Sequence, residues 1–208
     1  MGNGMNKVVD GLFLGNIRDS EDRESLSKNG ITHILSVHNN ARPVYEDMIY
    51  LCINADDASS QNLLQHFKDA IGFIHECRLN GGACLVHCLA GVSRSTTMVV
   101  AYLMTVTKYD WEECLSAIKA VRSFVGPNYG FQQQLQEYQI TLVSEYRAWL
   151  ESSFRPSPFK EQEQVGALLS QYKEQHESQR RGVDSRWSSY RREGCALPND
   201  EDDDEDKS

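Results

Sequence analysis

Short apolar runs alternate along the chain with segments whose apolar residues recur at helical spacing. The strand-like runs are residues 8–14, interrupted at Gly11, and residues 31–37, 50–53 and 83–87. The helix-like segments follow residue 62, begin near residue 93 or 94, and continue at 111–121 and after Pro127 as far as Trp149. Strands separated by helices predict an α/β fold, in which a mostly parallel central sheet is flanked by helices.

Polar residues mark several of the predicted helix ends. Asp110 with Glu113 three places on resembles a capping box, which predicts a helix that begins at residue 111. Asn62 is a candidate N-cap for the helix before Gly81, and this glycine is a candidate for its end. Residues 98–104 are apolar on nearly every side, so the helix that contains them is expected to be central and buried.

The composition changes beyond Phe154. Gln, Glu, Ser and Arg dominate there, and residues 200–206 form an unbroken acidic run. Such a segment buries little apolar area. The sequence therefore predicts a catalytic domain over residues 1–152 and a disordered, charged, solvated tail over residues 153–208, in which residues 165–172 are the one candidate for a brief helix.

Composition and charge exclude several classes of protein. The 208 residues carry 21 Lys and Arg against 30 Asp and Glu, a net charge of −9 that disfavours a general nucleic-acid binder. Neither a transmembrane helix nor a secretory signal is predicted, because no apolar stretch is suited to either. The six cysteines lack metal-binding spacing, so buried thiols in a reducing cytosol are expected rather than zinc sites or disulfides.

The candidate chemistry lies in residues 86–95, between an apolar strand and the buried helix. A short loop that wraps onto a helix N-terminus points backbone N–H groups inward and forms a nest for a tetrahedral anion. Gly91 permits a positive φ or a close backbone approach. Arg94 can place its planar guanidinium on two phosphate oxygens. Together the amides, the helix terminus and the guanidinium favour the thiolate form of Cys88.

A thiolate beneath a bound phosphate is an attacking nucleophile, so the loop predicts a cysteinyl-phosphate that water then hydrolyses, without a metal or other cofactor. The predicted phosphate-binding residues are Leu89, Ala90, Gly91, Val92, Ser93 and Arg94. Taken singly, Cys88 as a core thiol, Arg94 as a surface cation and Gly91 as a turn residue are ordinary alternatives. Their joint spacing between a strand and a helix favours the phosphate pocket.

The His-Cys-x5-Arg pattern at residues 87–94 resembles the signature of the cysteine-dependent protein phosphatases. Residues 93–104 and the block from Arg122 to Leu135 resemble the small atypical dual-specificity members, and the likeness spans residues 1–150. Residues 1–7 resemble the N-myristoylated branch associated with Jun-kinase signalling. The resemblance implies hydrolysis of phosphotyrosine, phosphoserine and phosphothreonine in signalling proteins, with MAP-kinase-cascade kinases as partners.

The resemblance also implies roles for individual residues. The general acid of the family is an Asp five residues before the Asn that opens a helix, which here is Asp57 before Asn62, with Asp56 as the rival. Without the resemblance, both acids are ordinary solvated turn residues. Ser95 corresponds to the hydroxyl that stabilises the departing thiolate. His87 is expected to order the loop by hydrogen bonding rather than to transfer protons. Asn128 is expected to tie down a neighbouring loop or to cap the final helix.

Gly2 is the candidate lipid attachment site. The usual acylation pattern has Ser or Thr where Asn6 stands, so the resemblance, rather than the motif alone, implies N-myristoylation. One myristoyl chain binds membranes only weakly and reversibly, and the expected location is the cytoplasm with a lipid-anchored fraction at the inner plasma membrane and the nucleus left open.

Three other functions compete with this interpretation. They are a catalytically silent phosphoprotein-binding scaffold, a phosphoinositide or RNA phosphatase, and a sulfur-transfer or arsenate-reducing enzyme. A scaffold needs no nucleophile, and lysines of the kind that lipid-phosphate relatives carry are absent from the loop between Cys88 and Arg94. The block from residue 122 onward argues against the third. The physiological substrate and the oligomeric state are not readable from the sequence.

Overall fold

The computed structural model describes residues 4–193, and it divides into one compact unit up to Tyr172 and a second unit from Lys173 onward. The first unit contains a five-stranded sheet. Its strands are β1 (Asn6–Val9), β2 (Leu12–Gly15), β3 (Ile31–Val37), β4 (Ile49–Ile53) and β5 (Ala83–His87). Their order is β1-β2-β5-β3-β4, in which only β1 is antiparallel to its neighbour. The predicted α/β fold with a mostly parallel central sheet is confirmed.

Helices cover both faces of this sheet. They are α1 (Ile17–Glu21), α2 (Arg23–Lys28), α3 (Phe67–Leu79), α4 (Arg94–Val106), α5 (Trp111–Val121), α6 (Tyr129–Thr141), α7 (Val143–Ser153) and α8 (Glu161–Glu193). Twelve of the thirteen residues of α4 are buried, which confirms the prediction of a central helix there. A 3₁₀ turn, Leu64–His66, precedes α3.

Successive side chains of the central strands face two different cores, as the period of a strand requires. Leu35 and Val86 face the larger core, which α3, α4 and α6 complete. Ile34 and Leu85 face the smaller core, which Leu26 of α2 closes. Because β5 lies at the middle of the sheet, the chain leaves its carboxyl end at the centre of the molecule, where open α/β sheets bind ligands.

The predicted helix ends are confirmed in part. Asp110 and Glu113 form the expected capping box, with 2.8 Å from Glu113 N to Asp110 Oδ1. The single long helix predicted after Pro127 is wrong, because the backbone leaves helical geometry at Leu142 and α6 and α7 are separate. The break allows α7 to pack on α4 and to bury Leu150.

The candidate helix at residues 165–172 is confirmed as part of α8, which begins at Glu161, so the disorder predicted for the rest of the tail does not hold at residues 161–164. Residues 161–172 form the first turns of α8, where Val165 is fully buried and Leu169 is 8% exposed. The carboxylate of Glu161 is also buried and lies 2.9 Å from the guanidinium of Arg78 in α3. Two apolar residues at helical spacing and one buried ion pair hold this segment on the domain. The mean composition of the tail is polar, so it does not reveal these few contacts.

In the second unit, residues 173–193 are helical, and their side chains are exposed as far as residue 188. Within residues 4–193, no helix combines the length and the apolar character that a membrane crossing requires. Gly2, Cys195 and the acidic run at 200–206 lie outside the described residues, so the predictions made for them stay predictions.

Replacement of Glu161 by Ala is expected to lower the free energy of unfolding by about 3 kcal/mol, because it leaves the Arg78 guanidinium buried without its partner charge. That side chain is fully buried, and its Nε donates to Asp10 O at 2.6 Å. Urea unfolding followed by circular dichroism measures the loss. Glu163→Ala is the matched control, because Glu163 is exposed on the same helix. Equal stability of the two variants would contradict the role of the ion pair.

Candidate active site

The loop between β5 and α4, residues 88–93, is named the cysteine loop. Three of its carbonyl groups are bonded to surrounding elements: Leu89 O accepts from Ile17 N, Gly91 O from Arg122 Nε and Val92 O from Gly126 N, at 3.1, 2.9 and 2.9 Å. In a trans peptide the next N–H points the opposite way. The N–H groups of residues 90, 92 and 93 are therefore turned to the inner side of the loop, as an anion nest requires.

Gly91 adopts the positive φ that the sequence analysis allowed for, at +68°. A Cβ atom at this position would lie 2.5 Å from Arg122 Nη2 and 2.5 Å from Gly15 O. The position therefore requires glycine on two counts, conformation and space. The tight fit presses the loop against β2 and fixes the shape of the nest.

Cys88 lies at the base of the cysteine loop and is 2% exposed. Its Sγ is 3.0 Å from the Oγ of Ser95, in the first turn of α4. Other cysteines lie in apolar surroundings, where burial raises the pKa of the Cys84 thiol well above its ordinary value and that of Cys114 to about 12. The expectation that most cysteines are buried thiols is confirmed for Cys77, Cys84 and Cys114.

Arg94 begins α4 and is 6% exposed. Its Nη1 donates to Asn39 Oδ1 at 2.7 Å and to Ala55 O at 3.0 Å. Its Nε is buried and has no partner among the residues that the structure describes. A buried donor without an acceptor is costly. The guanidinium is thus held from one corner, and a buried donor remains available for an oxyanion.

His87 lies directly before the cysteine, 2% exposed, and contacts both β3 and the loop. Burial lowers the pKa of its imidazole to about 4, so the ring is neutral at neutral pH. Nδ1–H donates to Cys88 O at 3.0 Å, and Nε2 accepts from the Ser36 hydroxyl at 2.7 Å. The ring therefore holds the backbone of Cys88 against Ser36 of β3.

The low pKa of His87 is expected to make stability depend on pH. The ordinary pKa of histidine is near 6.5, so His87 is protonated below pH 6.5 in the unfolded chain. In the folded chain it is protonated only below about pH 4. The free energy of unfolding should fall by about 3 kcal/mol from this group as pH falls through that window. Urea titrations at pH 7.5 and 4.5 measure the fall. The fall should shrink in His87→Gln, and an unchanged fall in that variant would contradict the assignment.

Both candidate acids are exposed, and each is tied to the site through an amide side chain. Asp57 Oδ1 accepts from Asn128 Nδ2 at 2.9 Å, and the backbone N–H of Asn128 donates to Ser93 Oγ at 2.9 Å. Asp56 accepts from Nδ2 of Asn39, the residue that also bonds the guanidinium. The structure thus brings both rivals to the rim of the cysteine loop.

Asn128 has a second role that the sequence analysis also allowed for. Its Oδ1 accepts from Phe131 N at 3.0 Å and caps α6. Asn62 Oδ1 accepts from Gln65 N at 3.1 Å, but α3 begins only at Phe67, so the prediction of Asn62 as the N-cap of that helix is wrong. The loop of the two acids is therefore followed by this hydrogen-bonded turn and is bonded to Asn128 at the start of α6.

Two residues at the site were missed or left without a role by the sequence analysis. Asn39 follows β3 and bonds Arg94; a polar residue after the carboxyl end of a parallel strand was the signal for it. Arg122 is 2% exposed, and besides Gly91 O it bonds Gly4 O and Asn6 Oδ1 at 3.1 and 2.8 Å. It connects the N-terminal segment to the cysteine loop, and a lone arginine gives no sequence signal for that.

The part of the chain that contains the cysteine loop is similar to known proteins. The sequence profile of the family described as dual specificity phosphatase, catalytic domain, matches residues 12–141. Dual specificity protein phosphatase 22-A of Danio rerio is 76% identical over 189 residues, 91% of this chain and 90% of that protein. Dual specificity protein phosphatase 22 of Homo sapiens is 56% identical over 170 residues, 82% of this chain and 92% of that protein. The crystal structure of DUSP15 matches with a TM-score of 0.73 and 50% identity, over 75% of this chain and 100% of that one.

Proposed function

The chain belongs to the dual specificity phosphatase family, and from this premise we propose that the cysteine loop performs the reaction with Cys88, Arg94, Asp57 and Ser95. The chain is a protein phosphatase that hydrolyses phosphotyrosine and phosphoserine or phosphothreonine. The observation that carries the residue assignment is the position of Cys88 Sγ, 3.0 Å from Ser95 Oγ at the base of a loop of inward amides.

In the first step, the Cys88 thiolate attacks phosphorus, and a P–S bond forms as the bond to the leaving oxygen breaks. The guanidinium of Arg94 and the N–H groups of the cysteine loop stabilise the charge on the equatorial oxygens. The carboxyl group of Asp57 gives its proton to the leaving phenol or alcohol, which departs neutral. The products are the dephosphorylated protein and a cysteinyl-phosphate.

In the second step, the Asp57 carboxylate takes a proton from water, and the water oxygen attacks phosphorus. The P–S bond breaks, and its electron pair returns to sulfur. The hydroxyl of Ser95, 3.0 Å away, donates a hydrogen bond to that thiolate as it departs. Inorganic phosphate and the original thiolate result.

Turnover on matched substrates tests the assignment of substrate class. Phosphotyrosine and phosphothreonine peptides should both be hydrolysed, and a phosphoinositide and a 5′-phosphorylated RNA should be hydrolysed far more slowly. Faster turnover of the lipid or the RNA than of the peptides would contradict the proposal and favour a phosphoinositide or RNA phosphatase. Binding of the peptides without any turnover would favour the scaffold.

Two finer proposals concern the cell. The partners are kinases of MAP-kinase cascades such as the Jun-kinase pathway, and the chain is N-myristoylated at Gly2. The support is the resemblance of residues 1–7 to the acylated branch. For the kinases, the phosphorylation of Jun kinase should differ between cells that express the wild type and cells that express Cys88→Ser. Equal phosphorylation would contradict the pathway.

A Gly2→Ala variant is expected to lose the membrane-bound fraction. One myristoyl chain binds bilayers with a constant of roughly 10⁴ M⁻¹, so the wild type should divide between soluble and vesicle-bound pools. Co-expression with an N-myristoyltransferase, mass spectrometry of the intact chain and vesicle sedimentation measure this. The control is wild-type chain made without the transferase. Equal masses and equal bound fractions for wild type and variant would exclude acylation at this glycine.

A further inference from the structure

Exposed apolar side chains of the first unit are concentrated around the cysteine loop. Six large apolar residues are exposed among residues 4–172: Val44, Ile49, Leu89, Phe124, Tyr129 and Ile140. Four of the six lie beside the loop and are named the apolar rim: Val44, Leu89, Phe124 and Tyr129. Single exposed apolar residues are normal on any protein surface. Their concentration at one site is typical of an interaction surface.

One side of the rim is built by the cysteine loop and the β3–β4 connection. Leu89 is 47% exposed within the loop, and Val44 is 53% exposed. The two line a groove of about 470 Å³ that also reaches His87 behind the cysteine. Glu21 and Arg42 line the same groove, so its charges are of both signs. Polar residues such as Ser20, His38 and Asn40 line part of the groove as well, and its apolar contact comes from Val44 and Leu89 together with Ile17 and Pro43.

A second part of the rim lies after α5 and at the start of α6. The ring of Phe124 is 50% exposed and lies 4.5 Å from the guanidinium carbon of Arg122, which bonds Gly91 O. Tyr129 is 69% exposed and directly follows Asn128, which bonds Asp57. Exposed apolar side chains thus lie near the beginning of the cysteine loop, at Leu89, and near its end, where Asn128 bonds Ser93.

We propose that the apolar rim is the docking surface for the substrate segment, and that it selects phosphoproteins with apolar residues next to the phosphorylated residue. This inference rests on the proposed function. The rim adjoins the active site, so a substrate chain that presents its phosphate to Cys88 must contact the rim in every turnover. A permanently bound second copy of the chain would instead close the approach to the loop.

The rim also supplies what the phosphate pocket lacks. The phosphate group is the same in every substrate, so the cysteine loop cannot distinguish one phosphoprotein from another. Contacts with flanking apolar side chains differ between substrates, and one methylene enclosed in an apolar pocket changes kcat/KM by about 10-fold or more. A half-exposed rim should give a smaller factor. Substrate choice is therefore expected to reside in the rim.

Two variants of the rim test the proposal: Val44→Ser and Tyr129→Ser. Their matched controls replace exposed apolar residues away from the loop: Ile49→Ser and Ile140→Ser. The substrates are a phosphotyrosine peptide flanked by Leu and Phe, the same peptide flanked by Ser, and p-nitrophenyl phosphate, which has no flanks. The rim variants should lower kcat/KM on the apolar peptide by about 3- to 10-fold. Their rates on p-nitrophenyl phosphate, and all rates of the controls, should stay at the wild-type value.

The proposal is overturned if the rim variants hydrolyse the Leu- and Phe-flanked peptide as fast as wild type, or if they lose p-nitrophenyl phosphate turnover to the same extent. Two other results also overturn it, both with unchanged peptide rates. If the rim variants reduce only the sedimentation of unacylated chain with anionic vesicles, the rim binds membranes. If they reduce only the dimer fraction in analytical ultracentrifugation, the rim binds a second copy of the chain. Failure of the proposed function is recognised separately, because wild type would then hydrolyse neither peptide.

Discussion

Cys88→Ser is expected to lower turnover by about 10⁴-fold or more while the chain still binds phosphopeptides. A serine hydroxyl at this position stays protonated at neutral pH, so no nucleophile faces phosphorus. The groups that bind phosphate are unchanged, since Arg94 is held by Asn39 and Ala55 and the loop carbonyls are bonded elsewhere. Catalysis and binding should therefore separate in this one variant.

The measurement pairs steady-state hydrolysis of an aryl phosphate with titration of a fluorescent phosphopeptide by anisotropy. Cys52→Ser is the control, because Cys52 is partly buried in β4 and takes no part in the proposed reaction. It should retain wild-type kcat and wild-type affinity. Turnover by Cys88→Ser within 10-fold of wild type would remove Cys88 from the role of nucleophile. A variant that is inactive and also fails to bind would show that the substitution had disturbed the loop itself.

The sequence predicted best those features whose interacting residues lie close together along the chain. The apolar run at 83–87, the glycine at 91 and the arginine at 94 occupy one strand–loop–helix unit, so their spacing alone predicts the nest. The capping box at Asp110 is equally local, because its two partners are three residues apart. The alternation of strands and helices was sufficient for the parallel sheet for the same reason.

The parts that the sequence did not predict depend on contacts between distant segments. Asn39 meets Arg94 because β3 and β5 are neighbours in the sheet, although 55 residues separate the two side chains. Glu161 meets Arg78 across 83 residues. In each case a polar residue with no local pattern is fixed by the tertiary fold, and composition gives no indication of its partner. The same limit applies to the tail, where the sequence indicated a brief helix at residues 165–172 but not that Val165 is buried in the core of the domain.

Asp57 and Asp56 are connected to different parts of the site, and this difference separates their expected roles. The two carboxylates are adjacent, both are exposed, and each has one amide partner. Their connections differ. Asp56 is linked through Asn39 to the guanidinium of Arg94, whereas Asp57 is linked through Asn128 to the far end of the cysteine loop at Ser93. Loss of either acid should therefore disturb a different step.

Asp57→Ala is expected to slow phosphoryl transfer by about 10²- to 10⁴-fold for substrates with a poor leaving group, because no acid then protonates the departing oxygen. For p-nitrophenyl phosphate, whose leaving group is already a weak base, the loss should be much smaller. A plot of log kcat/KM against leaving-group pKa, measured over a series of aryl phosphates, should be steeper for the variant than for wild type.

Asp56→Ala is the matched comparison, and its effect should be uniform along that series. Without Asp56, Asn39 loses one of its two bonds, so the guanidinium of Arg94 is held less firmly and every substrate is bound less well. Since this loss does not depend on the leaving group, the slope of the plot should equal that of wild type. A steeper slope for Asp56→Ala and a wild-type slope for Asp57→Ala would exchange the two roles, because only the residue that delivers the proton can make the rate depend on the basicity of the oxygen that receives it.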